Sequence, residues 1–542
     1  MKLRWYYKLL LSVLSAVLLS AGWTDFGLGP LVFLGLVPLL IIAESMSVRN
    51  NASNTNMFLW SFIAFLLWNA ITTWWIYHST LFGAIAAIVC SALLMAMVFD
   101  MGCRISRKMG TPQSYMALIS FWLSFEFLFM NSQISWPWLI LGNAFANNIS
   151  LVQWYEFTGH LGGSLWVLVI NVLLFRLLMA FMNTLGRQKI IRFSLITTLV
   201  LVIPITFSII RYYTYSEEIN PVDVLVFQPN IDPYNEKFTT PAIDQLTDML
   251  HLIESKMDDK VDFIVGPETA IPTGFWEDDV DNESSLLYLR SFLDLYPNAS
   301  MIIGANTRIY YENGNGKTKT AMRLGNTAHW YDLFNTGVFI DTSPRVQIYH
   351  KSKLVPGVEM MPYPEVLGFL GEMAVDLGGM QGSHGTQLHR TPMMRVADSL
   401  QVGTAICYES AYGEFFSEFV RNGAGFMCII TNDGWWSNTP GHRQHKSFAS
   451  LRAIETRRSI ARSANTGISC FVNQRGDILQ PTKWWTTDVI RAQININHRL
   501  TFYTRYGDYL ARMSLVLSAV LILMSISRWI MKITRRKSTT IS

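Results

Sequence analysis

Three short stretches carry side chains suited to covalent chemistry. In Thr404-Ala405-Ile406-Cys407-Tyr408-Glu409-Ser410 an apolar run over 400–406 stops at a cysteine, and a helix-like segment over 411–421 follows. The pattern predicts a strand ending in a tight turn that presents the thiol at the edge of a sheet. A lone buried cysteine is more often a small hydrophobe than a nucleophile, and this stretch alone leaves both readings open. Two upstream segments shift the balance. Val265-Gly266-Pro267-Glu268-Thr269 sets a carboxylate at a strand end, and Tyr349-His350-Lys351 sets an ammonium at another. Cys407, Glu268 and Lys351 therefore stand as one candidate set.

Other polar candidates are weaker. Cys90, Cys103, Cys428 and Cys470 form no Cys-x-x-Cys pair and have no histidine at ligand spacing, so neither a zinc site nor a disulfide framework is expected, and all four read as packing residues. His442 and His445 are three apart on a predicted helix, but no acidic partner follows at ligand spacing, and no metal is expected. Glu126 lies inside an apolar stretch. An ionisable group there is a functional candidate by default, with a structural hydrogen bond to a neighbouring helix as the equal alternative. Asn69 and Asn171, in similar stretches, read as glue between helices.

The elements that must position these residues are of two kinds. Of 542 residues, 50% are hydrophobic and 15% charged, too apolar for a wholly soluble protein, and the length allows two or three domains. The net charge of +4 is small and gathers on no basic face, so no nucleic-acid partner is expected. Residues 1–215 hold seven apolar segments of spanning length, near 9–24, 27–45, 57–77, 81–100, 115–130, 161–182 and 193–210, and an eighth follows near 510–527. The first has the outline of a signal peptide, but further spans follow at once, and it reads as a retained helix. Lysine and arginine occur before the first span (Lys2, Arg4, Lys8), in alternate loops (Arg49; Arg104, Arg107 and Lys108; Arg187, Lys189 and Arg192) and in the tail. That alternation predicts cytoplasmic termini and an outer location for residues 216–508.

Within 216–508, strands are expected at 222–227, 263–265, 301–311, 336–349, 400–406, 425–431 and 467–472, and helices at 242–257, 284–295, 411–421 and 442–464. Their alternation predicts an α/β layered sandwich. The stretch 356–392 shows no periodicity and contains Gly378-Gly379-Met380-Gln381-Gly382, so it reads as a lid.

Further motifs follow in order along the chain. Phe26-Gly27-Leu28-Gly29-Pro30-Leu31 and Leu36-Val37-Pro38-Leu39-Leu40 belong to the first two spans, and Glu126 precedes Trp136-Pro137-Trp138-Leu139 and Gly142. Gln228-Pro229-Asn230-Ile231 opens the outer domain. Leu354-Val355-Pro356, Asn432-Asp433-Gly434-Trp435-Trp436 and Thr501-Phe502-Tyr503-Thr504-Arg505-Tyr506-Gly507-Asp508 join the three candidate turns. Together they make the chain resemble, over nearly all its length, the apolipoprotein N-acyltransferase family, membrane-embedded members of the nitrilase (carbon–nitrogen hydrolase) superfamily. The resemblance implies an α-helical polytopic membrane domain, 1–215, then an αββα nitrilase-like sandwich, 216–508, then a last helix and basic tail, 509–542. It also implies a bacterial inner membrane with the sandwich on the periplasmic side. The chain departs from the family pattern in three places. Gly357-Val358-Glu359 stands where Phe-Gly-Glu is usual, Phe129 near the place of an arginine, and Lys237-Phe238 near that of a tryptophan.

The implied reaction carries a fatty acyl chain from a membrane phospholipid to the α-amino group of a diacylglyceryl-modified apolipoprotein, with no cofactor and a monomeric enzyme. By the resemblance, Cys407 is the nucleophile that holds a thioester, Glu268 the base, and Lys351 the stabiliser of the tetrahedral oxyanion, helped by the N–H after Cys407. Glu359 and Glu409 read as support for that centre, Tyr408 as an acyl-pocket wall or packing residue, and Trp435 and Trp436 more as core than as site. Met360, Met361, Leu367, Phe369 and Leu370 make the lid apolar enough to dip into a bilayer interface. Two other readings remain open: a membrane-anchored hydrolase in which water discharges the thioester, and an inactive scaffold. Eight spans weigh against the first, and the survival of all three side-chain types against the second.

Overall fold

In the computed structural model, which describes residues 3–47, 57–109, 113–183, 186–237, 239–367 and 383–539, the apolar segments are helices. A helix satisfies its own backbone, as hydrocarbon surroundings require. Seven are long and apolar enough to cross a membrane: Trp5–Trp23, Gly29–Met46, Met57–His78, Leu81–Ile105, Tyr155–Met182, Arg187–Thr214 and Tyr509–Met531. The shorter apolar helix Tyr115–Met130 stands between the fourth and fifth, so the predicted order of seven and then one is met when it is included.

By its contacts the chain divides into two units. One comprises Met1–Trp74, Ala84–Arg211 and Asp508–Ser542, the other Trp75–Gly83 and Tyr212–Gly507. In the helical unit, buried amides tie helices together. Asn171 accepts from Leu36 N–H at 2.7 Å and donates to Val32 O at 2.9 Å. Asn69 donates to Phe65 O of its own helix at 2.8 Å and reaches Met95 Sδ at 3.6 Å. Cys90 departs from expectation: it is exposed, because it falls on an outward face of its apolar helix.

The second unit holds strands β1 (Pro221–Gln228), β2 (Phe263–Val265), β3 (Ile271–Trp276), β4 (Ser300–Tyr311), β5 (Met322–Arg323), β6 (Trp330–Ile340), β7 (Gln347–His350), β8 (Met393–Met394), β9 (Gln401–Ile406), β10 (Phe426–Thr431), β11 (Ile460–Ala464), β12 (Cys470–Val472), β13 (Ile478–Leu479) and β14 (Asp488–Asn495). One sheet has the order β14-β1-β2-β4-β6-β5, with β3 on β4 and β7 on β6, and the other has the order β13-β12-β11-β10-β9-β8. The sheets meet face to face. Ser463 Oγ of β11 donates to Phe227 O of β1 at 2.8 Å, and the rings of Phe263 and Phe426 lie 5.0 Å apart. The helix Ala242–Glu254 covers the first sheet with a stripe of Leu246, Met249, Leu250 and Ile253, spaced three and four apart. The helix Gly413–Arg421 buries Phe415, Phe416, Phe419 and Val420.

Two expectations change. The helix predicted over 442–464 runs Pro440–Thr456, and Arg457 ends it in the left-handed region at φ 49°. The rest, Ile460–Ala464, pairs in parallel with β10, so a fully buried strand position overrides helical propensity. The strand predicted over 336–349 is two antiparallel strands, β6 and β7. Of the predicted lid, 368–382, with Phe369, Leu370 and the glycine-rich run, lies outside the described residues.

Trp75–Gly83, which takes in the end of the third apolar helix and the start of the fourth, packs within the α/β unit. Trp75 is buried, donates through Nε1 to Gln444 Oε1 at 3.2 Å, and sets its ring 4.8 Å from that of Trp436. Gly441 makes room for it, since a Cβ there would stand 2.6 Å from the indole.

Candidate active site

Each of the three candidate side chains sits just past the end of a strand. Glu268 follows β2 through Gly266-Pro267, and Thr269 after it adopts φ 48°. Gly304 of β4 permits that turn, because a Cβ would stand 2.4 Å from Thr269 N and 2.6 Å from Glu268 Cα. Lys351 follows β7 and donates its N–H to Asn335 O at 2.8 Å. Cys407 follows β9 at φ 51° and opens the turn Cys407–Ala411. A left-handed backbone costs a non-glycine residue about 1–3 kcal/mol and collects at functional sites, so two such turns facing one centre are informative.

The turns converge on a buried charge cluster. Lys351 Nζ lies 3.0 Å from Glu268 Oε1 and 2.6 Å from Glu359 Oε1. Asn335 Nδ2 donates to both carboxylates, at 2.7 Å to Glu268 and 3.3 Å to Glu359. Asn432 N–H donates to Glu268 Oε2 at 3.0 Å, and Val355 N–H to Glu359 Oε2 at 2.9 Å. Gly357, at φ 79°, supports the altered turn that delivers Glu359, so the departure from Phe-Gly-Glu keeps the ion pair.

Electrostatics in this cluster oppose desolvation. Burial pushes the Lys351 ammonium down, but Glu268 and Glu359 outweigh it and hold it well above the usual lysine range. Burial likewise raises Glu359, yet Lys351 and His384 bring its carboxyl below the ordinary value. The Cys407 thiol is held well above its usual range by burial and by the charge of Glu268, with Lys351 opposing. A thiol in this setting rests protonated and ionises only as its proton finds a base.

Glu409 does not join the cluster by a bond to its charges. It ties the two loops that carry them. Its Oε1 accepts from Tyr349 OH at 2.8 Å and Ser352 N–H at 2.6 Å, and its Oε2 from Ile406 N–H at 2.8 Å. Burial pushes its carboxyl up to about 7, against the pull of those donors. Tyr408 is buried with its ring 5.3 Å from that of Tyr412. Trp435 packs with its ring 5.1 Å from Tyr234, and its carbonyl accepts from Ser79 Oγ at 3.2 Å. Glu126 belongs to the helical unit, where its Oε1 accepts from Trp122 Nε1 of its own helix at 3.0 Å and from Leu141 N–H at 2.9 Å.

Sequence reasoning missed Asn335 and the role of Lys237. Asn335 had one signal, an amide amid the apolar and small residues of β6. Lys237 is buried and donates to Thr269 Oγ1, beside Glu268. Burial pushes its ammonium down to about 8, with Glu268 opposing. Its signal was the absence of the family's tryptophan near that position. Among the described residues no group of three or more His, Cys, Asp or Glu is placed to hold a metal ion.

Comparison with known proteins gives this geometry a context. The family described as carbon–nitrogen hydrolase matches residues 226–499, and the apolipoprotein N-acyltransferase N-terminal domain matches residues 15–173. The chain is similar to an apolipoprotein N-acyltransferase of Chlorobaculum tepidum, 28% identical over 96% of both chains. It is also similar to one of Geobacter metallireducens, 25% identical over 93% of this chain and 92% of the other. Among solved structures, Nit3 of Saccharomyces cerevisiae, a member of the nitrilase superfamily, aligns over 52% of this chain and 93% of its own at 14% identity, with a TM-score of 0.35. The chain belongs to the carbon–nitrogen hydrolase family, in the form that also carries the N-terminal domain of the apolipoprotein N-acyltransferases.

Proposed function

We propose that this protein moves a fatty acyl chain from a membrane phospholipid, through a thioester on Cys407, to the α-amino group of the diacylglyceryl-cysteine of an apolipoprotein. The observation that carries the reading is the buried Lys351 ammonium held between Glu268 and Glu359 beside the left-handed Cys407 turn, in a chain with apolar helices before and after. Relatives of nearly full length that bear the N-acyltransferase name support the same reading.

The Cys407 Sγ–H proton passes to Glu268 as sulfur attacks the ester carbonyl. The tetrahedral oxyanion is met by the Lys351 ammonium and the Tyr408 N–H; losing one such donor commonly costs about 2.7–4 kcal/mol of barrier. The C–O bond breaks, the leaving lysophospholipid alkoxide takes the proton from Glu268, and the acyl group remains on sulfur. The neutral amine of the acceptor then attacks the thioester. Glu268 takes a proton from that nitrogen and returns it to the departing Cys407 sulfur, which restores the enzyme. Alternating basic loops support a bacterial inner-membrane location with both termini cytoplasmic and the α/β unit periplasmic. The enzyme works as a monomer without a cofactor.

Intact-protein mass spectrometry after incubation with a diacyl phospholipid tests the reading. Wild type is expected to gain one hydroxylamine-sensitive acyl mass that a diacylglyceryl peptide discharges, and Cys407→Ala none. Discharge by water as fast as by peptide would make the protein a hydrolase.

A further inference from the structure

A chain of buried polar groups ends on the carbonyl of the nucleophile itself. His445, on the helix Pro440–Thr456, brings Nε2 to 3.1 Å from Cys407 O and 2.9 Å from Ser410 Oγ. Its Nδ1 lies 2.9 Å from Asp433 Oδ1. Arg462 of β11 donates through Nη2 to Asp433 Oδ2 at 2.7 Å, with His445 Nδ1 3.1 Å from the same nitrogen. Thr431 Oγ1 donates to Asp433 Oδ1 at 2.9 Å. All of these side chains are buried. The Arg462 guanidinium and His445 hold the Asp433 carboxyl well below its usual range against burial, so a fixed anion stands behind the imidazole.

The neighbours assign the imidazole proton. Cys407 O can only accept. Ser410 Oγ donates to that same oxygen at 2.7 Å, so it offers a lone pair to Nε2. Nε2 must therefore carry a hydrogen whether Nδ1 is protonated toward Asp433 or faces Arg462. The one Nε2 hydrogen is shared between Ser410 Oγ and Cys407 O, so the carbonyl of Cys407 accepts twice, from Ser410 and from this forked bond of His445.

A peptide group is planar and trans, so the Cys407 carbonyl and the Tyr408 N–H point in opposite directions. Anchoring the carbonyl fixes the direction of the N–H. We propose that His445, oriented by Asp433 and Arg462, is a positioning residue that sets the Cys407–Tyr408 peptide so that the Tyr408 N–H meets the oxyanion. The inference rests on the acyl-enzyme reading above, and it adds a role for a helix that touches neither Glu268 nor Lys351 through this histidine.

The test uses the full chain in detergent and three reactions at Cys407. These are acylation by a diacyl phospholipid, acylation by p-nitrophenyl acetate, and alkylation by iodoacetamide, each mapped to the residue by mass spectrometry. Alkylation needs a thiolate but builds no oxyanion. His445→Leu is expected to lower the rate constant of both acylations by roughly 30–100-fold, somewhat less than the loss of a whole oxyanion donor, with KM held within about threefold and alkylation within about twofold. His445→Gln, which keeps a donor N–H, recovers part of the loss. Ser410→Ala, a smaller change that stands in if the leucine variant fails to fold, lowers both acylations by roughly 3–10-fold with the same split. Equal losses in acylation and alkylation, or acylation unchanged in these variants, would overturn the proposal. If wild type takes acetyl from the activated ester but nothing from phospholipid, the acyl-donor reading fails while the His445 comparison still decides the inference.

Discussion

Two cysteines on neighbouring strands show what separates a packed thiol from a candidate nucleophile. Cys428 lies within β10, paired in register with Thr404 of β9, and Cys407 stands one residue beyond the end of β9. Both are buried, and burial raises both thiols. For Cys428 burial is the whole cause. Cys407 adds a left-handed turn and the opposed charges of Glu268 and Lys351. Burial is common to an inert and a candidate thiol; the turn and the charge pair are not.

The widest test of that contrast is to remove each sulfur in turn. Cys407→Ala should lower acyl loading by about 10⁴-fold or more, below detection in an intact-mass assay, while Cys428→Ala still forms the adduct. Next in size, Lys351→Met should lower the rate of acyl loading by about 10²–10³-fold in stopped or quenched single-turnover assays. It should also reduce the melting temperature, since Glu268 and Glu359 then share a buried site without their cation.

Glu409 offers a smaller, pH-dependent test. Its carboxyl is raised to about 7 from 4.5, so between those values the folded protein keeps a proton that the unfolded chain releases. The stability this contributes is complete below pH 4.5 and disappears as pH rises through 7. Glu409→Gln, which stays neutral, should show a shallower fall in melting temperature from pH 5 to 7.5 than wild type, read by tryptophan fluorescence. Lys237 works in the other direction. With its ammonium lowered to about 8 from 10.5, the unfolded chain binds more protons between those values, so wild-type stability rises across that range, and Lys237→Met should lose the rise. Smallest of all, Cys428→Ala should cost about 1 kcal/mol of stability in denaturant titration.

Much of this was legible in the sequence because it is local. An apolar run that stops at Cys407, Glu268 or Lys351 fixes a strand end within a few residues, and a charge-free apolar segment announces a spanning helix by itself. What escaped depends on partners distant in the chain. Asn335 matters because it reaches Glu268, 67 residues away, and Glu359, 24 residues away. His445 looked like half of a failed metal pair, and its meaning comes from Cys407, 38 residues back. The segment Ile460–Ala464 looked helical because its small residues tolerate a helix, and its pairing with β10 on one side and β12 on the other makes it a strand. Cys90 was misjudged for a related reason, since an apolar helix gives no sign of which of its faces meets protein.

Trp75–Gly83 has a consequence for biosynthesis. The ribosome makes this short piece of the α/β unit more than a hundred residues before the first strand, Pro221–Gln228, and still longer before Gln444 and Gly441, against which Trp75 rests. Trp75 must wait for its partners, so the unit cannot finish folding until translation has passed that helix. For the same reason, a fragment cut at Tyr212 and Gly507 would be short of one internal part. It would leave the recess over Gly441 open and one face of the Trp436 ring uncovered. Supplying Trp75–Gly83 as a separate peptide should raise the melting temperature of such a fragment.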